Sequence, residues 1–524
     1  MANIKLLIAI LLSAALNCFG QKPVSSEFID SLVEESMTRF PQAAVGVAVI
    51  ENGKVTHLKG YGVLNAKTGE KANEESLFAI ASNSKAFTTT ALGMLVDQGK
   101  LNWTDRVVDH VPEFKMYDPY ITANFTIIDL LTHRSGLGLG AGDLMIFPDG
   151  GDFTIEDIVK SFQYQTPVSD FRTKYDYDNL LYIVAGEVVH RISGKPWDQF
   201  IEEEIMIPLD MKSSVGMYTN LEDPINLATP HKTENGEVIP LEQFVDKNST
   251  FAAAAGIYSN VTDLSKWVLM HLNEGKYGND LSKTLISKES HDELWKIHTV
   301  ISYHPVASGT YSNHYSGYGL GFNLQDQKGY TIVSHTGGLP GMISMITMIP
   351  EQKAGIIILT NADPGGMSIY TLTNEIKDEI IDGEEIDWIS LTERRLEERQ
   401  SNADSVLNAV WKIVEKSKKK KIDHSKYTGY YNDDWFGKIN IQEKENGDLW
   451  FASLRSPRLN GKMHYYQANT FVIEWEYNDM ECDAFAMFRL DENGFATSIK
   501  LKGISPLIDF SFDFHDLNLK RINP

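Results

Sequence analysis

The sequence predicts an α+β domain built on one antiparallel sheet flanked by helices, followed by a small antiparallel β-barrel or sandwich. Three observations carry this reading. Apolar, β-rich runs lie near the start (43–50 and 55–61) and again at 330–335, 342–349 and 355–360, with helix-patterned segments between, so the chain returns to one sheet. From about residue 427 the pattern changes to short alternating strands, about eight in roughly 100 residues. The length of 524 residues also exceeds what one core usually supports, about 250–300 residues.

The elements follow in order. The first two strands are joined through Asn52-Gly53, the dipeptide that favours a tight hairpin. A helix is expected from about Ser82, with Phe87, Ala91 and Leu95 on one face and Gly99 as its stop. Thr126 is expected to cap a helix over 127–131, and Thr262 one over 264–271. These threonines also complete N-x-T triplets at Asn124 and Asn260, with others at Asn102 and Asn248; they are read as caps first and glycan acceptors second. Residues 385–422 are charged and helix-prone and read as a helical linker, whose Lys418-Lys419-Lys420-Lys421 end is a solvated charge run. The domain reading is therefore 24–384, a linker over 385–422, and a β domain over 423–524.

A formal charge of −23 argues against nucleic acid and anionic membrane as partners, and 42% apolar residues allow a sizeable core. Residues 1–20 read as an export signal: Lys5, an apolar stretch over 6–16, then small residues before a cut at Gln21. The stretch is too short to span a bilayer, which takes about 20 residues, so no membrane span is expected after cleavage. Secretion or a periplasmic location follows, with lipidation at Cys18 as the weaker alternative because Ala15-Leu16-Asn17 fits a lipoprotein signal poorly. The mature chain then keeps only Cys482, so no internal disulfide is expected and this thiol reads as a small buried apolar group.

The chemistry starts at Ser82-Asn83-Ser84-Lys85, which sets a hydroxyl and an amine one helical turn apart at a helix start. A second S-x-x-K, Ser417 to Lys420, lies in the lysine run and is set aside. Tyr177-Asp178-Asn179 precedes a helix running to about His190, and His335-Thr336-Gly337 ends a strand and is followed by Gly338-Leu339-Pro340-Gly341. The stretches Leu130-Leu131-Thr132-His133-Arg134-Ser135-Gly136-Leu137 and Tyr318-Gly319-Leu320-Gly321-Phe322 flank these motifs. The histidines form no H-E-x-x-H pairing, so neither a metal nor another cofactor is expected, and G-x-S-x-G does not occur.

Together these motifs resemble the serine β-lactamase and penicillin-binding protein family, in the class C branch that also holds family VIII carboxylesterases, D-aminopeptidases and DD-carboxypeptidases. The resemblance covers about residues 24–380. It implies a β-lactamase/transpeptidase-like sheet with an all-helical subdomain. It further implies an acyl-enzyme on Ser82, with Lys85, Tyr177 or both taking the proton, and Asn179 orienting the acyl side chain or Lys85. His335, Thr336, Gly337 and Gly338 would line the substrate site, the N–H groups of Ser82 and Gly338 forming the oxyanion hole. His133 reads as a loop brace. Two departures bear on substrate. β-Lactamases of this branch carry Lys-Thr-Gly where this chain has histidine, and Asp178 replaces a small residue and adds negative charge. Both disfavour anionic β-lactams and favour esters, amides or peptides, so a small-molecule or peptide substrate is expected. The open alternatives are a β-lactamase or DD-carboxypeptidase acting on cell-wall peptides, and a non-catalytic penicillin-binding-like sensor. The second domain resembles the lipocalin-like barrel that follows the catalytic domain in some of these hydrolases. The segments 136–152 and 300–315 are expected as irregular walls of the site. Oligomeric state is left unassigned.

Overall fold

The computed structural model describes residues 23–522 apart from 222–224, 247, 309, 311–312, 364 and 384. The expected export signal and Cys18 lie outside the described residues. Strands β1 (Ala44–Glu51) and β2 (Lys54–Gly62) form the first hairpin, and Asn52 and Gly53 both take positive φ, as the turn requires. Six later strands complete the sheet: β3 (Thr299–Ser308), β4 (Asn313–Tyr318), β5 (Asn323–Gln327), β6 (Tyr330–Leu339), β7 (Met342–Ile349) and β8 (Ala354–Thr360). The order is β2-β1-β8-β7-β6-β5-β4-β3, antiparallel throughout. β8 closes onto β1 from Val45↔Thr360 to Ile50↔Gly355, which is the expected return of the chain.

β1 and β8 are buried along their whole length because both faces of the sheet are covered. Period-2 alternation divides them: Val45, Val47, Val49, Ile356 and Ile358 join one core, while Ala44, Ala48, Ile50, Ile357 and Leu359 join the other. The first core is closed by α1 (Ser26–Arg39) and by a helix near the end of the sheet domain. The second faces α2 (Ser84–Asp97), α3 (Leu180–Ser193), the short α4 (Ala252–Ala255) and α5 (Val261–Leu272). α2 is buried from Ser84 to Leu95, and its Phe87 stacks on Trp267 of α5 with ring centroids 3.8 Å apart. α6 (Ser368–Ile381) is the helix that covers the other core with α1. A single 30-residue helix, α7 (Trp388–Ser417), then leads to the second domain, and its Val410 and Val414 pack on Val472 and Ile504.

That domain is a closed barrel of eight antiparallel strands: β9 (Gly429–Asp433), β10 (Gly437–Glu443), β11 (Leu449–Ser453), β12 (Asn460–Gln467), β13 (Thr470–Trp475), β14 (Ala484–Leu490), β15 (Ala496–Gly503) and β16 (Leu519–Ile522). Closure removes the edges that a sandwich would leave. Cys482 is buried and free. No helix among the described residues is long and apolar enough to cross a membrane.

Three local expectations need correction. β6 runs on to Leu339, so His335-Thr336-Gly337 lies inside a strand, because β7 continues to pair with it through Gly338↔Ile343. Segment 300–315 is largely the β3–β4 hairpin and not an irregular wall, with Tyr315↔Tyr303 and Ser316↔Ser302 paired. The cap of α5 is Asn260, whose side chain accepts the Asp263 N–H at 2.8 Å, and not Thr262. Thr126 does cap its helix, in a reciprocal box with Asp129.

Candidate active site

Ser82 sits in the tight turn Ala81–Asn83 that leads into α2. Ala81 before it is left-handed, at φ +48°, a strained conformation for a residue with a Cβ. The turn is pinned to the sheet by Ser344 of β7, whose hydroxyl donates to the Ile80 carbonyl at 2.7 Å and accepts from Asn83 Nδ2 at 2.8 Å. β6 presses on the same turn. Gly337 faces it, and a Cβ there would overlap the Ile80 carbonyl. This is why glycine stands at that position.

Lys85 is fully buried one turn into α2. Its amine donates to Ser82 Oγ at 3.1 Å, to Asn179 Oδ1 at 2.7 Å and to the Ala254 carbonyl of α4 at 3.0 Å. The Tyr177 and Tyr182 rings flank it, 4.9 and 5.3 Å from Nζ. Burial pulls this amine down to about 7, although Asp143 and Asp178 work in the opposite direction. Tyr177 hydrogen-bonds Ser82, and burial raises its phenol well above the usual range, so at neutral pH it is a neutral hydroxyl.

Asn179 closes α3 onto the site. Its Oδ1 faces Lys85, and its Nδ2 donates to Asp143 Oδ2 at 2.7 Å. Asp178 turns away to the start of α3, where it accepts the Leu181 N–H at 3.1 Å, and burial lifts its carboxyl to about 7. The expected negative charge is thus tied to helix amides and partly suppressed. His133 is a brace: its Nδ1 accepts the Asp178 N–H at 3.0 Å and its ring packs on Tyr177 and Tyr318.

His335 is buried on β6. Its Nε2 meets the Tyr318 hydroxyl at 2.9 Å and its Nδ1 meets the Thr336 carbonyl at 2.6 Å. A carbonyl only accepts, so Nδ1 carries the proton and Nε2 accepts from Tyr318. Burial, then the nearby Lys85, press the imidazole down to about 3, so it is uncharged at neutral pH. Strand alternation turns Thr336 to the opposite face from His335 and Gly337. Gly338 is exposed, with open space where a Cβ would stand. β5 reaches only to Ser334, so, among the described residues, 335–339 have β7 on one edge and no strand on the other.

The structure thus brings Ser82, Lys85, Tyr177, Asn179, His335 and Gly337 together, and Thr336 and Gly338 share the other face of the same strand. Sequence reading missed Asp143 and the Ala254 carbonyl. Asp143 was discoverable only as a lone acid in the glycine-rich stretch 136–147. Reading also missed the barrel segment beside the site: Phe510 lies edge-on to Tyr177 with centroids 5.8 Å apart, and Asp513 accepts the N–H groups of Gly142 and Leu144. Among the described residues no group of three or more His, Cys, Asp or Glu side chains is arranged to hold a metal.

A sheet with a buried helix, a serine and lysine one turn apart, and a tyrosine on the facing loop define a class of serine hydrolases. The Beta-lactamase family model matches residues 29–376, more than half of the chain, and the protein belongs to that family. Residues 415–521 match a separate family described as a domain of unknown function, DUF3471. The chain is 26% identical over 501 residues to the unguisins hydrolase ungD′ of Aspergillus campestris, covering 90% of this chain and 88% of that protein. Among solved structures it is similar to the octameric penicillin-binding protein homologue from Pyrococcus abyssi, with TM-score 0.58, 19% identity, and 95% and 100% of the two chains covered. It is also similar to the D-amino acid amidase from Ochrobactrum anthropi SV3, with TM-score 0.55, 20% identity, and 68% and 96% covered.

The packing of β6 on the Ser82 turn makes a test. Gly337→Ala is expected to push the strand off Ile80 and to lower hydrolytic activity about 100-fold, with the far-UV circular dichroism spectrum unchanged. Retention of full activity would contradict the close approach.

Proposed function

We propose that the protein is an exported serine hydrolase that forms an acyl-enzyme on Ser82 and cleaves esters or small amides, D-amino-acid peptides among them. The observation that carries this reading is the Lys85 amine, buried and 3.1 Å from the Ser82 hydroxyl, where burial pulls it down to about 7. Lys85 takes the Oγ proton as Oγ bonds to the carbonyl carbon and the C=O electron pair moves to oxygen. The N–H groups of Ser82 and Gly338 meet that oxyanion. The tetrahedral species then collapses, the bond to the leaving group breaks, and the leaving group takes a proton from the Lys85 ammonium through the Tyr177 hydroxyl. Water repeats the sequence on the ester of Ser82 and releases the acid. Tyr177 acts here as a neutral relay, because its phenol is raised too far to ionise at neutral pH.

The substrate class rests on His335. An uncharged imidazole hydrogen-bonded on both nitrogens offers no cation to a carboxylate. Substrates with an essential anion, β-lactams included, are therefore the poorer class. The name of the fungal unguisins hydrolase supports hydrolysis, and that of the D-amino acid amidase supports the amide arm.

Two experiments test the reading. Purified protein is expected to hydrolyse p-nitrophenyl butyrate, D-alanine p-nitroanilide, or both, far better than nitrocefin, and Ser82→Ala is expected to lose about 10³-fold or more. Nitrocefin as the best substrate would overturn the substrate class, and an active Ser82→Ala would overturn the nucleophile. Mass spectrometry of the protein secreted with its own leader should find a chain beginning at Gln21; an uncleaved chain would contradict export.

A further inference from the structure

The barrel reaches the hydrolase site through a chain of buried hydrogen bonds. Asp513 is wholly buried, and its two carboxylate oxygens accept the Gly142 N–H at 2.7 Å and the Leu144 N–H at 3.0 Å. Gly142 and Leu144 flank Asp143, itself wholly buried. Asp143 accepts the Nδ2 of Asn179, and the opposite end of that amide, Oδ1, accepts Lys85 Nζ. The side-chain amide has one donor end and one acceptor end, so its orientation is set by what stands at each. Because the Nδ2 end is taken by Asp143, the oxygen end is the one that meets the lysine. Without Asp143, a half-turn about the last torsion would aim two N–H donors at Lys85 and remove its shortest hydrogen bond.

The loop supplies only part of this geometry. Gly142 is left-handed at φ +84° and packs against Leu180 and Gln165, and the turn's own bonds seat the Asp143 N–H on the Gly140 carbonyl at 2.9 Å, which leaves the Gly142 and Leu144 N–H groups to an outside acceptor. That acceptor belongs to the barrel. The same stretch is clipped to the barrel at two other places, where Arg455 meets Asp152 and Asp157 at 2.7 Å each and Arg458 meets Asp149 at 3.0 Å, but those contacts do not touch the residues around Asp143.

We propose that Asp513 is a positioning residue for the hydrolytic site: it holds the Gly142–Leu144 peptides so that Asp143 fixes the Asn179 amide with its oxygen on Lys85, which makes the barrel an integral part of the catalytic unit. The inference rests on the reading of Ser82 and Lys85 given above. Its effect is expected in turnover, because the relay ends on the proton acceptor and not on the substrate.

The test is steady-state hydrolysis of p-nitrophenyl butyrate by the full chain and by Asp513→Asn, Asp143→Leu, the double variant and Arg455→Ala. Asp513→Asn is expected to lower kcat about 100-fold with KM little changed, and the double variant to be no slower than Asp143→Leu alone. Arg455→Ala, which cuts a domain contact outside the relay, is expected to keep its kcat. Asp513→Ser, which fits the same space and accepts one N–H, gives the same reading if Asp513→Asn does not fold. An unchanged kcat in the Asp513 variants, losses that multiply in the double variant, or an equal loss in Arg455→Ala would overturn the proposal. Persistent activity in Ser82→Ala would instead overturn the nucleophile assignment on which it rests.

Discussion

The structure around the site depends on holding one lysine amine out of water. An ammonium in an apolar interior is among the most costly groups to bury, and the two remedies are to give up the proton or to satisfy every N–H. Lys85 uses both. Its three acceptors come from its own helix turn, from the start of α3 and from the carbonyl of α4. Between about 7 and the ordinary lysine value of 10.5 the folded chain leaves this amine unprotonated while the unfolded chain protonates it. Across that window the folded state binds fewer protons, so stability contributed by this group rises with pH and is lowest below about 7. On the proposed mechanism, the fold accepts a destabilised group in exchange for a base at neutral pH.

The rest of the site follows from that constraint. α2 must be central to bury the lysine, and its neighbours must present acceptors without charge of their own. An amide and a peptide carbonyl do so. The serine, by contrast, must stay within reach of substrate, which is met by placing it in the turn before α2, where Ser344 and Gly337 lock the Ile80 carbonyl against β6 and β7. His335 on the far wall is held neutral by the same dry surroundings and by the nearby Lys85. The cluster of phenols and imidazoles, Tyr175, Tyr177, Tyr182, Tyr318, His133 and His335, provides polarity without net charge beside the amine.

Much of this was legible in the chain because the chemistry restricts residue identity. Ser82, Lys85, Tyr177 and Asn179 stand in motifs whose spacing survives as geometry, and Asn52-Gly53 and the apolar alternation of β1 and β8 announce the sheet. The end of β6 was misread because Thr336-Gly337-Gly338 has weak intrinsic strand character, and the strand persists only through pairing with β7. The β3–β4 hairpin was hidden by Pro305 and by exposed Val300, Tyr303 and Val306, which give no clean alternation. Asn260 caps α5 because the helix already begins at Val261, which puts Thr262 inside its first turn. Asp143 and Asp513 were illegible for a different reason. Their roles arise from contacts across the domain boundary, such as the bond from Gly142 to Asp513 across 371 residues, and no local pattern encodes these.

The most direct test of the account is the pH dependence of Ser82 acylation in a single-turnover burst with a p-nitrophenyl ester. The account predicts a rate that rises with pH and reaches half its maximum near 7, where the Lys85 amine loses its proton. A half-maximum near 10.5, the value of an ordinary lysine, or a rate independent of pH between 5 and 9, would show that a buried neutral Lys85 is not the base.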